Sequence, residues 1–326
     1  MIVTVTPNPS LDRTLEVERL VVGEVLRSST RRVEPGGKGI NVARTLHGQG
    51  IATRAVLPVG GTEGDQIVAL LQAQRLPVAV VPIAEPVRAN VTVVEPDGTT
   101  TKLNEPGPRL QAVEVEELLQ ATLSAAEHPD WIVASGSLPP GCPDDFFAQL
   151  VVRARAVDVP VAVDTSGAPL RRALQAGPRL CKPNHDELGE WAGRPLPTLG
   201  EVVDVARELQ ATGIEVVLVS LGAQGAVLVD DVGVLHAERP VAAPRSSVGA
   251  GDATLAGYLA AVVHGREAAL RSAVAHGAAA VALPGSQTPG PTDLHPDLVV
   301  VRHDVDRSRT LGERDRASAG VLAPPA

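Results

Sequence analysis

Short apolar runs recur along this chain with longer amphipathic segments between them, and that alternation limits the fold more than any other feature. Residues 2–5, 55–59, 131–134, 161–164 and 216–220 are nearly continuous in Val, Ile, Leu and Ala. Such runs are expected of strands covered by helices on both faces, where neither side of the sheet meets water. Residues 39–47, 65–74, 113–126, 144–156 and 199–211 read as the helices between them. Strands alternating with helices predict an α/β domain with a parallel sheet wound by right-handed crossovers. Two stretches break the rhythm. Residues 15–33 mix polar with β-branched residues, and residues 90–103 carry the turn signal Asp97-Gly98. Together they predict a small antiparallel sheet beside the main domain. The main domain is read as residues 1–304, and the polar, Ala/Pro-ending segment 305–326 as a mobile tail.

Composition removes several functional classes. Aromatic residues make up only 2% of the chain, too few for a platform that stacks nucleic-acid bases. The net charge of −9 argues against non-specific binding to nucleic acid or anionic membrane. No apolar stretch is long enough to span a bilayer, and the N-terminus lacks the pattern of a secretory signal. Cys142 and Cys181 form no disulfide framework, and a reducing cytoplasm is the expected location. Eight histidines show no metal-binding spacing, so no protein metal cage is expected.

The segment VGAGDATLAG at 248–257 opens a good helix, with Leu255, Leu259 and Val262 on one face. Unpaired amides and the helix dipole at such a start favour an anion, and glycines let the backbone come close to a phosphate. Asp252 stands in the first turn or at its cap; ordinary capping explains the same residues equally well. The segment fits neither the Walker loop nor the dinucleotide fingerprint. A second glycine turn, PGGKGINVA at 35–43, also leads into a helix, with Lys38 as a point charge and Asn41 on the first turn. Asn8 and Asp12 follow the first strand, where ligands of open α/β sheets bind, and suit sugar hydroxyls. In KPNHDE at 182–187, Asn184 and Glu187 match a capping box, or else order Mg²⁺ around phosphates. VSLGAQG at 219–225 reads as a strand, a glycine turn and a further strand, a shape able to line a nucleotide.

Taken in order, these segments resemble the ribokinase-like PfkB family of carbohydrate kinases, from residue 1 to about 285. Within it, TPNPSLDRT (6–14), GGTEGD (60–65), EPDGTTTKLNEPGP (95–108), SGSLPPG (135–141) and DTSG (164–167) resemble the 1-phosphofructokinase and tagatose-6-phosphate kinase branch. The resemblance implies a three-layer α/β sandwich with a mainly parallel central sheet and a β-sheet lid, formed by residues 15–33 and 88–103. It implies ATP and Mg²⁺ as cofactors, Asp252 as general base and Gly249, Ala250 and Gly251 as the anion hole. Asp12, Gly37 and Asn41 would hold sugar hydroxyls. Lys38 and Arg88, with Asn90 and Lys102, would meet the phosphate already on the sugar. Lys182, Asn184, Ser220, Gly222 and Gly225 would line the nucleotide, with Asn184 and Glu187 organising Mg²⁺ through water. A homodimer through the lid is expected. The implied reaction is phosphorylation of D-fructose 1-phosphate; tagatose 6-phosphate or fructose 6-phosphate is the alternative acceptor, and a non-catalytic sugar-phosphate sensor the alternative class.

Overall fold

The computed structural model describes residues 1–285 and 287–312. In chain order its elements are β1 (Ile2–Val5), β2 (Ser10–Glu16), β3 (Thr30–Gly36), α1 (Lys38–Gly48), β4 (Thr53–Val59), α2 (Gly61–Ala73), β5 (Val78–Pro82), β6 (Arg88–Val94), β7 (Thr100–Leu103), α3 (Ala112–Ser124), β8 (Trp131–Ser135), α4 (Phe146–Arg155), β9 (Val161–Asp164), α5 (Gly167–Gln175), β10 (Leu180–Cys181), α6 (His185–Ala192), α7 (Leu199–Gln210), β11 (Val216–Ser220), β12 (Ala226–Val229), β13 (Val234–Glu238), α8 (Ala250–Ala261), α9 (Arg266–Ala282) and β14 (Val300–Arg302).

The central sheet has ten strands in the order β14-β13-β12-β11-β10-β9-β8-β1-β4-β5. From β11 to β5 neighbouring strands are parallel, and β12, β13 and β14 extend one edge in antiparallel fashion. Residues along each strand alternate between two cores. Val217 and Val219 pack with the side chains of α3 to α7, whereas Leu218 between them packs with α1, α8 and α9. This double burial is why the strands read as unbroken apolar runs. Among the described residues no helix is long and apolar enough to cross a membrane.

The second sheet has four strands in the order β3-β2-β6-β7. It matches the expected lid with two corrections. Its first strand begins at Ser10 rather than near residue 15, and β2 pairs with β6 in parallel, so the sheet is mixed. The parallel pairing arises because β2 and β6 are joined through the main domain, not by a hairpin. Asp97-Gly98 does form the turn between the antiparallel β6 and β7.

Residues 305–312, read above as the start of a mobile tail, instead run beside α7. Leu311 is buried in the main core, and the Leu199 and Gly200 amides donate to the carbonyls of Arg309 and Arg307. A single apolar side chain with backbone partners is a signal too short for a composition argument to detect. Residues 313–326 of that expected tail lie outside the described residues.

Helix α8 also differs from its expected one-sided amphipathic form. Eight consecutive residues, Asp252 to Leu259, are buried, because α8 lies between α1 and α9. Val262 falls beyond the helix in a 3₁₀ turn. Gly257 permits the close crossing: a Cβ there would lie 2.6 Å from both His276 Nδ1 and the Ser272 carbonyl on α9. Gly257→Ala should therefore cost about 1–3 kcal/mol through overpacking, despite alanine's better helix propensity. Gly48→Ala, where a Cβ meets open space, should be close to neutral. Urea unfolding of the two variants beside the parent checks this; equal midpoints for all three would contradict it.

Candidate active site

Four charged side chains converge where β9, β10 and the first turns of α1 and α8 meet. Asp164, the last residue of β9, is completely buried, and each of its carboxylate oxygens faces an ammonium. Lys38 Nζ donates to Oδ1 at 2.8 Å, and Lys182 Nζ lies 3.1 Å from Oδ2. Burial opposes ionisation of Asp164, but the two lysines outweigh it and hold the carboxyl below its ordinary range. Lys38 also lies 3.9 Å from Glu187. Burial alone would lower the Lys38 ammonium; the charges of Asp164, Asp252 and Glu187 overcome it and raise its pKa.

Asp252 stands on the first turn of α8, 6% exposed. Its Oδ2 accepts a 2.8 Å hydrogen bond from Asn41 Nδ2. Burial, reinforced by the negative charge of Asp164, pushes the carboxyl up to about 6, against the pull of Lys38 and the Asn41 hydrogen bond. Gly249 caps α8 in the left-handed conformation, φ 76°, and no side chain caps the helix. The Ala250 amide makes only a long 3.4 Å contact to the Ser247 carbonyl. The start of α8 thus presents uncapped amides beside a carboxylate. Lys182 sits directly behind it, since a Cβ on Gly251 would be 3.3 Å from its Nζ.

The lid side carries a second group. Asp12 and Asn90 are register partners on β2 and β6, and Asp12 Oδ1 accepts from Ser10 Oγ at 2.7 Å and Asn90 Nδ2 at 3.0 Å. Burial raises Asp12, with those two hydrogen bonds opposing. Gly36 is required beside it, because a Cβ there would lie 2.1 Å from Asp12 Oδ2. Gly37, at φ 119°, then turns the chain into α1. A cavity of about 1170 Å³ under the lid is lined by Asp12, Asn90, Lys102, Arg245 and Val248, among others, and so reaches the residue before Gly249.

The structure thus gathers Asp252, Gly249, Ala250, Gly251, Asn41, Lys38, Lys182 and Glu187 at one end, with Asp12, Asn90 and Lys102 along the adjoining cavity. Three of the residues expected at the site also have partners inside the protein. Lys38, assigned above to the sugar's own phosphate, points into the Asp164–Glu187–Asp252 cluster, because α1 starts at that end of β9. Asn41, assigned to sugar hydroxyls, has its Nδ2 on Asp252. Arg88 uses its guanidinium to donate to the Glu105 and Asn8 carbonyls, tying two loops together.

Asn184 forms the capping box of α6: its Oδ1 accepts from the Glu187 amide, and Glu187 Oε2 accepts from the Asn184 amide, each at 2.8 Å. Ser220 bridges to Asn184 across the strand ends. Gly222 and Gly225 bound a tight turn, and Gly225 lies against the Ala237 carbonyl of β13, where a Cβ would come within 1.9 Å. Among the described residues no cluster of three or more His, Cys, Asp or Glu could cage a metal.

Asp164 received no role from the sequence, although a lone acid ending an apolar strand is the signal that could have found it. Replacing it leaves Lys182, 3% exposed, without its counter-charge. Asp164→Ala should lose about 3–5 kcal/mol of stability. Chemical unfolding measures this; a loss below 1 kcal/mol would mean the lysines find other partners.

A family model described as pfkB family carbohydrate kinase matches residues 6–293. A 1-phosphofructokinase of Haloferax volcanii is 38% identical over 310 residues, covering 93% of this chain and 99% of that protein. An ATP-dependent 6-phosphofructokinase isozyme 2 of Mycobacterium tuberculosis is also 38% identical, covering 87% of this chain and 85% of its own. Among solved structures, phosphofructokinase-2 from Escherichia coli in complex with substrates and products superposes with a TM-score of 0.85 at 34% identity, covering 90% of this chain and 96% of that one. With the sheet, the lid and the match along nearly the whole described length, the chain belongs to the pfkB family of carbohydrate kinases.

Proposed function

We propose that this protein is a sugar-phosphate kinase that transfers the terminal phosphoryl group of ATP to D-fructose 1-phosphate, giving D-fructose 1,6-bisphosphate and ADP. The observation that carries the reaction type is a buried carboxylate with a raised pKa, Asp252, held by Asn41 at the uncapped start of α8. A carboxyl poised near 6 is ionised at neutral pH, yet basic enough to take a proton from an attacking hydroxyl. The Gly249–Gly251 amides face charge that grows on the transferring group, and preorganised dipoles of this kind supply much of phosphoryl-transfer catalysis. Lys38 is assigned to the same group, since its ammonium lies among the carboxylates at that end of the site. Asp12 and Asn90 are assigned to sugar hydroxyls, and Lys102 and Arg88 to the phosphate already on the sugar.

Ser220 and the Gly222–Gly225 turn are assigned to the nucleotide. Mg²⁺ fits as an ion carried in by ATP. Glu187 keeps Oε1 outside its capping box, and Asn184 its Nδ2, so Glu187 through water is its principal protein partner. Mg²⁺ would offset charge on the phosphates.

The acceptor assignment rests on the 1-phosphofructokinases among the relatives. The second reading is fructose 6-phosphate, supported by the equal identity of the Mycobacterium relative; tagatose 6-phosphate is the third. A homodimer through the lid is part of this proposal, motivated by Val22 and Val25, 97% and 87% exposed on the segment joining β2 to β3. A cytoplasmic location is in keeping with the two free cysteines.

Measuring kcat/KM by ADP release across the three sugar phosphates tests the acceptor. Fructose 1-phosphate should rank first, and a higher value for either of the others would replace it. Asp252→Asn should cut kcat by about 10²–10⁴-fold while sugar binding persists. In the parent enzyme kcat/KM should fall as pH drops through about 6, because protonated Asp252 cannot accept the hydroxyl proton. Near-parental turnover in the variant, or a flat acidic limb, would remove Asp252 from the role.

A further inference from the structure

The turn Gly222–Gln224 is held from a distant part of the chain. Gln224 has a partner on each polar group. Its carbonyl contacts His236 Nε2 at 2.9 Å, its Oε1 accepts from Arg309 Nε at 2.7 Å, and its Nε2 donates to the Thr310 carbonyl at 3.3 Å. Arg309 Nη1 also lies 2.6 Å from Glu238 Oε2. Burial alone would raise Glu238, but hydrogen bonds from Arg302 and Arg309 outweigh it and keep it ionised. The strand-like strap that carries Arg309 is itself anchored. The Leu199 amide donates to the Arg309 carbonyl at 2.9 Å, and the Leu311 amide to the Pro197 carbonyl at 2.8 Å. Arg307 pairs with both oxygens of Asp204 at 2.7 Å.

A short glycine-bounded turn has little stability of its own, because its glycines lose much conformational freedom on ordering. Gly222 and Gly225 both have positive φ, 61° and 83°. The turn follows Ser220, which bridges to Asn184, and Asn184 caps the helix that carries Glu187 toward Lys38, so the turn adjoins that end of the site. We infer that Arg309 is a positioning residue for ATP: its fork joins Gln224 to Glu238 and so fixes the Gly222–Gly225 turn against β13. This rests on the assignment of that turn to the nucleotide. Arg309 touches no reacting atom in this scheme. Its planar guanidinium matters because Nε and Nη1 serve two acceptors in fixed directions, a geometry that a lysine's single nitrogen on a flexible stem does not reproduce.

The test uses full-length protein and steady-state kinetics with ATP and fructose 1-phosphate varied separately. Arg309→Ala should raise KM for ATP about tenfold and leave KM for the sugar phosphate within about twofold. Arg309→Lys, which retains a charge for Glu238, should give about a threefold rise, keeping the test usable if the alanine variant folds poorly. Gln224→Ala should match Arg309→Ala, and the double variant should add less than about twofold, as for two residues acting through one contact. Equal rises in both KM values, or a lower melting temperature with unchanged KM for ATP, would overturn the inference. Ala223→Asp separates it from the assignment beneath it, because Ala223 is exposed on the turn and away from the strap contacts. A negative charge there should raise KM for ATP at least about tenfold. No change in that variant means the turn does not meet ATP and both readings fall. A rise there with none in Arg309→Ala overturns only the positioning role.

Discussion

One fully buried carboxylate, Asp164, between two ammonium groups is the interaction on which the rest of the site depends. Lys38 and Lys182 come from different parts of the chain, and like charges so close in a low-dielectric interior would repel strongly. Asp164 lets both remain. It does more than neutralise, because its negative charge is the second cause that raises Asp252. The same residue thus keeps two cations beside the start of α8, and makes the neighbouring carboxylate a better proton acceptor. A hydrophobic replacement would pack in the space but would do neither.

The segment 35–41, from the end of β3 into α1, joins the two halves of the site within a few residues. Gly36 leaves room for Asp12 on the lid sheet, Gly37 turns the chain at a φ that L side chains avoid, and α1 then delivers Lys38 and Asn41 to Asp164 and Asp252. Only Gly37 separates the lid strand β3 from the first turn of α1. In the proposed function, a movement of the lid would therefore reach Asp252 through the backbone and Asn41.

Much of the main fold was legible because strands buried on both faces leave an unmistakable apolar signature; 161–164 and 216–220 coincide with β9 and β11. What escaped was of three kinds. β10 has only two residues, Leu180 and Cys181, so periodicity has nothing to count. The parallel pairing of β2 with β6 joins residues 78 apart, such as Asp12 and Asn90, and no local pattern encodes such a partner. The third kind is side-chain direction. Motif reasoning located Lys38, Asn41 and Arg88 near the site, but whether an ammonium faces sugar or carboxylate depends on which strand ends beside its helix. Asp164 illustrates the same limit, since its importance comes from two lysines that converge on it only in three dimensions.

The distribution of rigidity follows the division of chemical work. Asp252 and the glycine turn belong to α8, which is buried on all sides and pressed against α9 at Gly257. Groups that must meet growing charge in a fixed direction gain most from such support, because they need no reorganisation when the reaction occurs. Asp12, Asn90 and Lys102 sit instead on a four-stranded sheet with far less behind it, as the half-buried pattern of β6 and the exposed β7 show. In the proposed function, discrimination between similar furanose phosphates is thereby placed on the less buried element. Variation among kinases of this architecture should accordingly be tolerated in the lid while the α8 turn stays geometrically strict, since a sheet can shift to fit a new sugar but a displaced base loses the proton it must take.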